Sequence, residues 1–148
     1  MKSVGLIVTR YFLLMVMLSL SSCDEADVRI SIPDEAVPRF AFKGNGYLDF
    51  FAVTELAPEN NGSVTGTPKD RMIWQIFPET TENGTLPLSP IDYGKVPAGF
   101  VQRVPESGAP PPLVEGKLYR AGAPPIIHPR GFVHFMVKNG RLMAVNWR

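Results

Sequence analysis

Fifteen prolines, distributed from Pro33 to Pro129, restrict what this chain can fold into more than any other feature of its sequence. A proline removes a backbone N–H and its ring clashes with the preceding helical turn, so it ends or kinks a helix. The proline content of residues 23–148 is about twice the usual ~5%. The sequence therefore disfavours long helices and favours short strands joined by turns.

From Arg39 onward, apolar and polar residues alternate with the period of two that is typical of a half-buried strand. Phe40 and Phe42 alternate with their neighbours before a Gly44-Asn45-Gly46 turn, and an aromatic-rich strand is predicted over Tyr47–Glu55. We expect these two strands to pair as a hairpin. Further strands are predicted at residues 71–77, 91–95, 100–104, 117–120, 132–138 and 141–147.

The strand predicted at 71–77 places Met72, Trp74 and Ile76 on one face. Trp74 is the leading candidate for the centre of a core, because buried aromatic side chains normally contribute core area rather than a stacking platform for a ligand.

The pair Asn139-Gly140 lies between two apolar runs and predicts a two-residue hairpin, because Asn-Gly accepts the positive φ angles of a type I′ turn. Such a turn fixes the register. Lys138 faces Arg141, Val137 faces Leu142, and the same pairing continues along both strands until Phe132 faces Trp147. Both faces of this hairpin are largely apolar. We expect it either to lie inside a sandwich or to meet a partner on one side.

Together these patterns predict an all-β domain over residues 39–148, a β-sandwich of seven or eight strands. We expect an immunoglobulin-like, fibronectin III-like or transthyretin-like sandwich. The segment Ile91–Arg120 resembles a segment of small bacterial lipoproteins and of β-sandwich domains of fibronectin type III-like kind, which agrees with this fold. The proline-rich runs favour crossings at the ends of the sandwich. The alternative is a polyproline II segment that docks in an aromatic groove.

The beginning of the chain has the pattern of an export signal. Lys2 and Arg10 precede a largely apolar run of ten residues, Tyr11–Leu20, which is too short to span a bilayer. Leu20-Ser21-Ser22-Cys23 then resembles the lipobox of bacterial lipoproteins. The resemblance implies cleavage of residues 1–22 and lipidation of the Cys23 thiol. Cys23 is the sole cysteine of the chain, so it has no disulfide partner within the chain, and lipidation accounts for it.

Asp24 follows the lipidated position. In lipoproteins of enteric type, an aspartate there resembles the signal for retention in the inner membrane, which predicts the periplasmic face of that membrane as the location. Residues 23–38 are rich in acidic side chains and contain two prolines, and we interpret them as a solvated tether. The alternation in Arg29–Ile32 leaves a first strand as the alternative.

Charge excludes some partners. Without Lys2 and Arg10, 13 basic residues stand against 14 acidic ones, so the domain has neither a nucleic-acid footprint nor a polybasic membrane footprint.

His128 and His134 lie outside any metal-ligand spacing, and no nucleophile or phosphate-loop motif occurs. We therefore expect no metal and no cofactor.

The leading functional hypothesis is a non-catalytic binding or assembly module that contacts another envelope protein. One alternative is glycan or small-molecule binding on an exposed aromatic patch made of Phe40, Phe42, Tyr47, Phe50 and Phe51. A second alternative is a hydrolase without a recognisable motif. It would require a cleft that brings His128 or His134 to a carboxylate such as Asp49 or Asp92.

Lipidation of Cys23 is tested by metabolic labelling with a radioactive fatty acid. We expect the wild-type protein to take up label and to fractionate with membranes, and Cys23→Ala to do neither, because the thiol is the attachment point. Absence of label from the wild type, or label retained by the variant, would show that the motif is not used.

Overall fold

The computed structural model describes residues 28–58, 67–123 and 131–146, and this part of the chain is all-β. It contains nine strands: β1 Val28–Ser31, β2 Arg39–Gly44, β3 Phe51–Glu55, β4 Arg71–Pro78, β5 Ile91–Asp92, β6 Phe100–Val104, β7 Leu118–Gly122, β8 Phe132–Lys138 and β9 Arg141–Ala144. They form two antiparallel sheets, one in the order β1-β2-β5 and one in the order β6-β4-β3-β7-β8-β9. The predicted all-β sandwich is confirmed, with nine strands in the described residues where seven or eight were predicted.

The two sheets bury one hydrophobic core between them. Phe40 and Phe42 of the three-stranded sheet meet Phe51 of the six-stranded sheet, with ring centroids 5.2 and 5.1 Å apart. Phe51 also makes an edge-on contact with Trp74 at 5.9 Å. Such tilted and edge-on pairs align the negative ring face with a positive ring edge. Trp74 is completely buried, as its pattern predicted.

The fold begins before the predicted boundary at Arg39. Val28–Ser31 forms β1, which pairs with β2 in the register Val28↔Gly44 and Ile30↔Phe42. Val28 and Ile30 are buried in the core. The tether interpretation was therefore wrong for this stretch, because two apolar side chains with a period of two outweigh the surrounding acidic residues. Residues 1–27, which include Cys23 and Asp24, lie outside the described part.

The hairpin expected between the second and third strands was also wrong, because β2 and β3 belong to different sheets. The connection turns through Gly44 and Gly46, both at positive φ. It is then held by a second loop, since Leu48 N donates to Gly84 O at 2.9 Å and Leu86 N donates to Gly46 O at 2.9 Å. Burial of Leu48 anchors this crossing, and the strand itself starts only at Phe51.

A bulge changes which side chains of β4 are buried. The partner of Val53 is Trp74 and that of Thr54 is Met72, so Ile73 is the extra residue between them. An extra residue breaks the alternation of a strand. As a result Ile73 is buried and Met72 is 40% exposed, contrary to the face predicted for Met72.

The β8–β9 hairpin has the predicted register, with Lys138↔Arg141, Val137↔Leu142, Met136↔Met143 and Phe135↔Ala144. Asn139 and Gly140 adopt φ angles of 53° and 69°, as a type I′ turn requires. The predicted partner of Phe132, Trp147, lies outside the described residues.

The proline-rich run after β6 crosses one end of the sandwich and is bound to it. Gln102 Nε2 donates to Pro105 O and Gly108 O, and Tyr93 OH donates to Pro111 O at 2.7 Å. Further along, Val114 N donates to the Tyr119 hydroxyl at 2.9 Å. These bonds tie down the segment that joins β6 to β7, which favours the end-crossing interpretation over a docked polyproline II peptide.

The two neighbouring aromatic residues at the start of β3 provide a stability test. Phe51 is buried against three aromatic rings, whereas Phe50 is only half-buried, with its ring 5.3 Å from that of Phe77. We expect Phe51→Ala to lower the free energy of unfolding by about 3–5 kcal/mol, and Phe50→Ala by about 1 kcal/mol. Urea denaturation measures both. Equal losses would contradict the assignment of Phe51 to the core.

Candidate functional site

The predicted aromatic patch is not a surface. Phe40, Phe42 and Phe51 are buried in the core, Phe50 is half-buried, and Tyr47 alone of the five is substantially exposed, at 51%. The hypothesis of a ligand site on these rings is corrected accordingly. The prediction was wrong because β2 and β3 belong to different sheets that face each other. Their alternating rings therefore point into one shared core, which the sequence alone did not reveal.

Within the described residues, no strand packs on the second face of the six-stranded sheet, which we call the outer face. Trp74, Tyr119 and Phe135 point inward to the three-stranded sheet, so the alternate residues of the same strands point outward. The outer face carries a mixture of apolar and basic side chains: Met72, Gln75, Phe77, Val101, Arg103, Leu118, Arg120, His134, Met136 and Met143.

A shallow depression of about 510 Å³ lies on the outer face beside β6. Its floor is formed by apolar side chains and its rim carries charges of both signs, the lining residues being Gln75, Phe77, Pro78, Glu79, Val101 and Arg103. Val101 and Phe77 are direct cross-strand partners. The Phe50 ring packs against Phe77, which supports the floor from the neighbouring strand.

The strand beside this depression is an edge of the sheet. β6 pairs with β4 and has no strand on its other side within the described residues. The opposite edge, β9, is partly covered, because Leu142 N donates to Glu35 O at 2.7 Å. An uncovered edge presents backbone N–H and C=O groups to which another strand can bond.

β6 is held rigidly from its core side. The indole Nε1 of Trp74 donates to Gln102 Oε1 at 2.9 Å, and Gln102 Nε2 donates to Pro105 O at 2.8 Å. One glutamine thus satisfies the polar atom of the buried tryptophan and fixes the end of the edge strand. This role has no sequence signal, because it depends on the register of β6 against β4.

His134 lies on the outer face opposite Arg120. The Arg120 guanidinium lies 5.6 Å from the centre of the Phe132 ring, a distance typical of a cation–π contact. Burial, followed by the charge of Arg120, lowers the pKa of His134, so its imidazole is neutral at pH 7.

Asp92 faces the outside of the other sheet. Its Oδ2 accepts a hydrogen bond from Arg39 Nη2 at 3.3 Å and another from Lys95 Nζ at 2.9 Å. The hydrogen bonds from Arg39 and Lys95 lower the pKa of Asp92 to about 2. This carboxylate is therefore ionised and paired, and the core separates it from His134. His134 and Asp92 do not converge, Asp49 is exposed in the connection before β3, and His128 lies outside the described residues.

A second depression, of about 340 Å³, opens between the two sheets near Glu35 and the β8–β9 hairpin. Its lining includes Pro38, Tyr93, Leu113 and Leu142. The Tyr93 hydroxyl is already committed to Pro111 O, and burial raises its pKa above its ordinary value. Sugars are bound through several directed polar groups, and this mainly apolar crevice offers few of them.

The described residues contain no group of three or more histidine, cysteine or acidic side chains that could hold a metal ion. Within the same residues, no helix has the length and apolar character needed to cross a membrane.

The paired state of Asp92 predicts an acid dependence of stability. A carboxylate whose pKa is lowered on folding stabilises the fold above its ordinary pKa of 3.8, and this contribution is lost as the pH falls toward 2. We expect Asp92→Asn to lower the melting temperature at pH 7 and to show a smaller decrease than the wild type between pH 4 and pH 2. Asp49→Asn, at an exposed acidic position, should follow the wild type. Parallel profiles for all three proteins would contradict the assignment.

Comparison with known proteins places the chain in no family: no family model, no curated protein and no solved structure matches it.

Proposed function

We propose that this chain is a lipid-anchored cell-envelope protein whose β-sandwich is a non-catalytic binding module. The module binds an extended segment of another envelope protein along the open edge of β6. The observation that carries this proposal is the juxtaposition of an uncovered edge strand with an apolar depression on the outer face.

The anchor is supported by the beginning of the sequence. A positively charged start, a largely apolar run of ten residues and the motif Leu20-Ser21-Ser22-Cys23 occur in the order that lipoprotein export and modification require. Lipidation at Cys23 would hold the domain at the envelope, with Asp24 favouring the periplasmic face of the inner membrane where enteric-type sorting operates.

The kind of partner is argued from the edge. A strand added to β6 gains main-chain hydrogen bonds that are independent of its sequence, and its alternate side chains fall on the outer face, above the depression. Phe77 and Val101 would contact an apolar side chain there. Arg103 and Glu79 at the rim would favour polar or charged side chains on either side of it. β6 has five residues, which matches a bound segment of about five residues.

We prefer a binding role to catalysis because Asp92 and His134, two candidate acid–base groups, lie far apart. Asp92 is engaged by Arg39 and Lys95, and His134 lies beside Arg120 on the opposite side of the core. General acid–base work requires two such groups within hydrogen-bond reach of one substrate, and these two are separated by the two layers of the sandwich.

The proposal is tested by site-specific photocrosslinking in intact cells. A photoreactive residue at Arg103, on β6, should give one discrete adduct, whereas the same residue at Met143, on the partly covered edge β9, should not. Mass spectrometry should locate the crosslink in an extended segment of an envelope protein.

A pair of substitutions distinguishes specific binding along β6 from a nonspecific contact with position 103. Val101→Lys puts a charge into the depression and should abolish the adduct formed at position 103. Met143→Lys, on the far side of the same face, should leave it intact. Melting temperatures establish that both variants are folded. An adduct that survives Val101→Lys, or adducts of equal yield at positions 103 and 143, would contradict binding at β6.

A further inference from the structure

The backbone groups that β6 can offer to another strand follow from its pairing with β4. Glu79 N donates to Gly99 O at 2.8 Å, so the backbone groups of Gly99 point to the β4 side. Because this direction alternates along an antiparallel strand, the groups of Val101 also point to β4. The N–H and C=O groups of Phe100 and Gln102 therefore point to the open edge.

Of these four backbone groups, one is already used. The Phe100 N–H donates to Pro97 O at 3.1 Å in the preceding turn. The Phe100 C=O and both groups of Gln102 have no strand partner in the part of the chain that the structure describes. The Gln102 side chain is fixed by the indole N–H of Trp74, so the backbone of this residue is held in place before a strand binds.

Two side chains of opposite charge lie along this edge on the outer face. Arg103 follows Val101 by two residues, and Glu79 is bonded to Gly99, two residues before Val101. Both charged side chains line the depression whose floor includes Val101. Neither forms an ion pair within the described residues. An apolar floor is thus flanked along the strand by a cation at one end and an anion at the other.

The surrounding charges make the Glu79 end the stronger of the two. Asp49 and Glu82 are exposed in the loops before β3 and after β4, which are hydrogen-bonded to each other. The basic residues of β1 and β2 are on the outside of the other sheet. At the opposite end, Glu106 follows β6 and partly offsets the charge of Arg103. A ligand is therefore attracted mainly through a basic group near Glu79.

Resting on the edge binding proposed above, we infer that the bound segment runs antiparallel to β6 and has the sequence pattern acidic–x–apolar–x–basic. The residue opposite Gln102 exchanges two hydrogen bonds with it, as in the antiparallel pairs of both sheets. Alternate side chains of a strand share one face. The preceding side chain therefore faces Arg103, and the following one lies over Val101. The side chain two positions further on reaches Glu79 across Gly99, which has no side chain to block it.

The test measures the binding of short fluorescent peptides to the full chain, purified in detergent, by fluorescence anisotropy. One peptide contains Glu-Thr-Leu-Thr-Lys between threonine flanks, and the matched control contains the same residues in reverse order, Lys-Thr-Leu-Thr-Glu. The two peptides have the same composition and net charge. We expect the first to bind several-fold more tightly, and the difference to decrease at high salt, because exposed charges are screened.

Exchanging the two charges of the depression should exchange this preference. Glu79→Lys combined with Arg103→Glu leaves the net charge of the protein unchanged and should make the reversed peptide the tighter ligand. Glu35→Lys combined with Lys138→Glu also leaves the net charge unchanged, lies beside the opposite edge of the sheet, and should preserve the wild-type preference. The milder Glu79→Gln should reduce the preference. Melting temperatures establish that each variant is folded.

The outcomes separate this inference from the proposed function. Val101→Lys should abolish the binding of both peptides. If neither peptide binds the wild type, or both still bind Val101→Lys, the edge site is overturned and the inferred pattern with it. If both peptides bind at the edge with equal affinity, or the exchange of Glu79 and Arg103 leaves the preference unchanged, edge binding stands and the inferred pattern is overturned.

Discussion

The contact between Phe51 and Trp74 is the interaction on which the rest of the structure depends. Their rings meet edge-on at 5.9 Å, and Phe51 extends the contact to Phe40 and Phe42 of the opposing sheet. Trp74 extends it in the other direction, through its indole N–H to Gln102 on the edge strand. One connected aromatic cluster therefore joins the two sheets and sets the position of β6, the strand to which we assign binding.

This arrangement explains why so many aromatic residues leave so little aromatic surface. A domain of this size has few residues with which to fill a two-layer core, and large rings bury the most area for each residue ordered. The paired carboxylates lie outside this core. Asp92 and Glu55 accept hydrogen bonds from nearby cations, and Glu115 accepts one from a turn N–H group. They stabilise edges and turns of the sandwich.

Local patterns predicted much of the fold. Alternation located eight of the nine strands, and Asn139-Gly140 fixed the register of the last hairpin, because both signals arise from neighbouring residues. The features that could not be predicted depend on pairing between strands that are far apart in the sequence. The bulge that buries Ile73, the separation of β2 from β3 and the bond from Trp74 to Gln102 follow from which strands meet. The aromatic patch was misplaced for the same reason, and the open β6 edge could be recognised only from the sheet order.

We propose a lipid anchor on Cys23, a few residues before the domain that starts at Val28, and the chemical state of Cys23 tests this proposal most directly. Mass spectrometry of the protein extracted from membranes should find an N-terminal peptide that begins at Cys23, carries a diacylglyceryl group on its thiol, and is accompanied by no peptide from residues 1–22. An unmodified Cys23 in a chain that retains those residues would contradict the account.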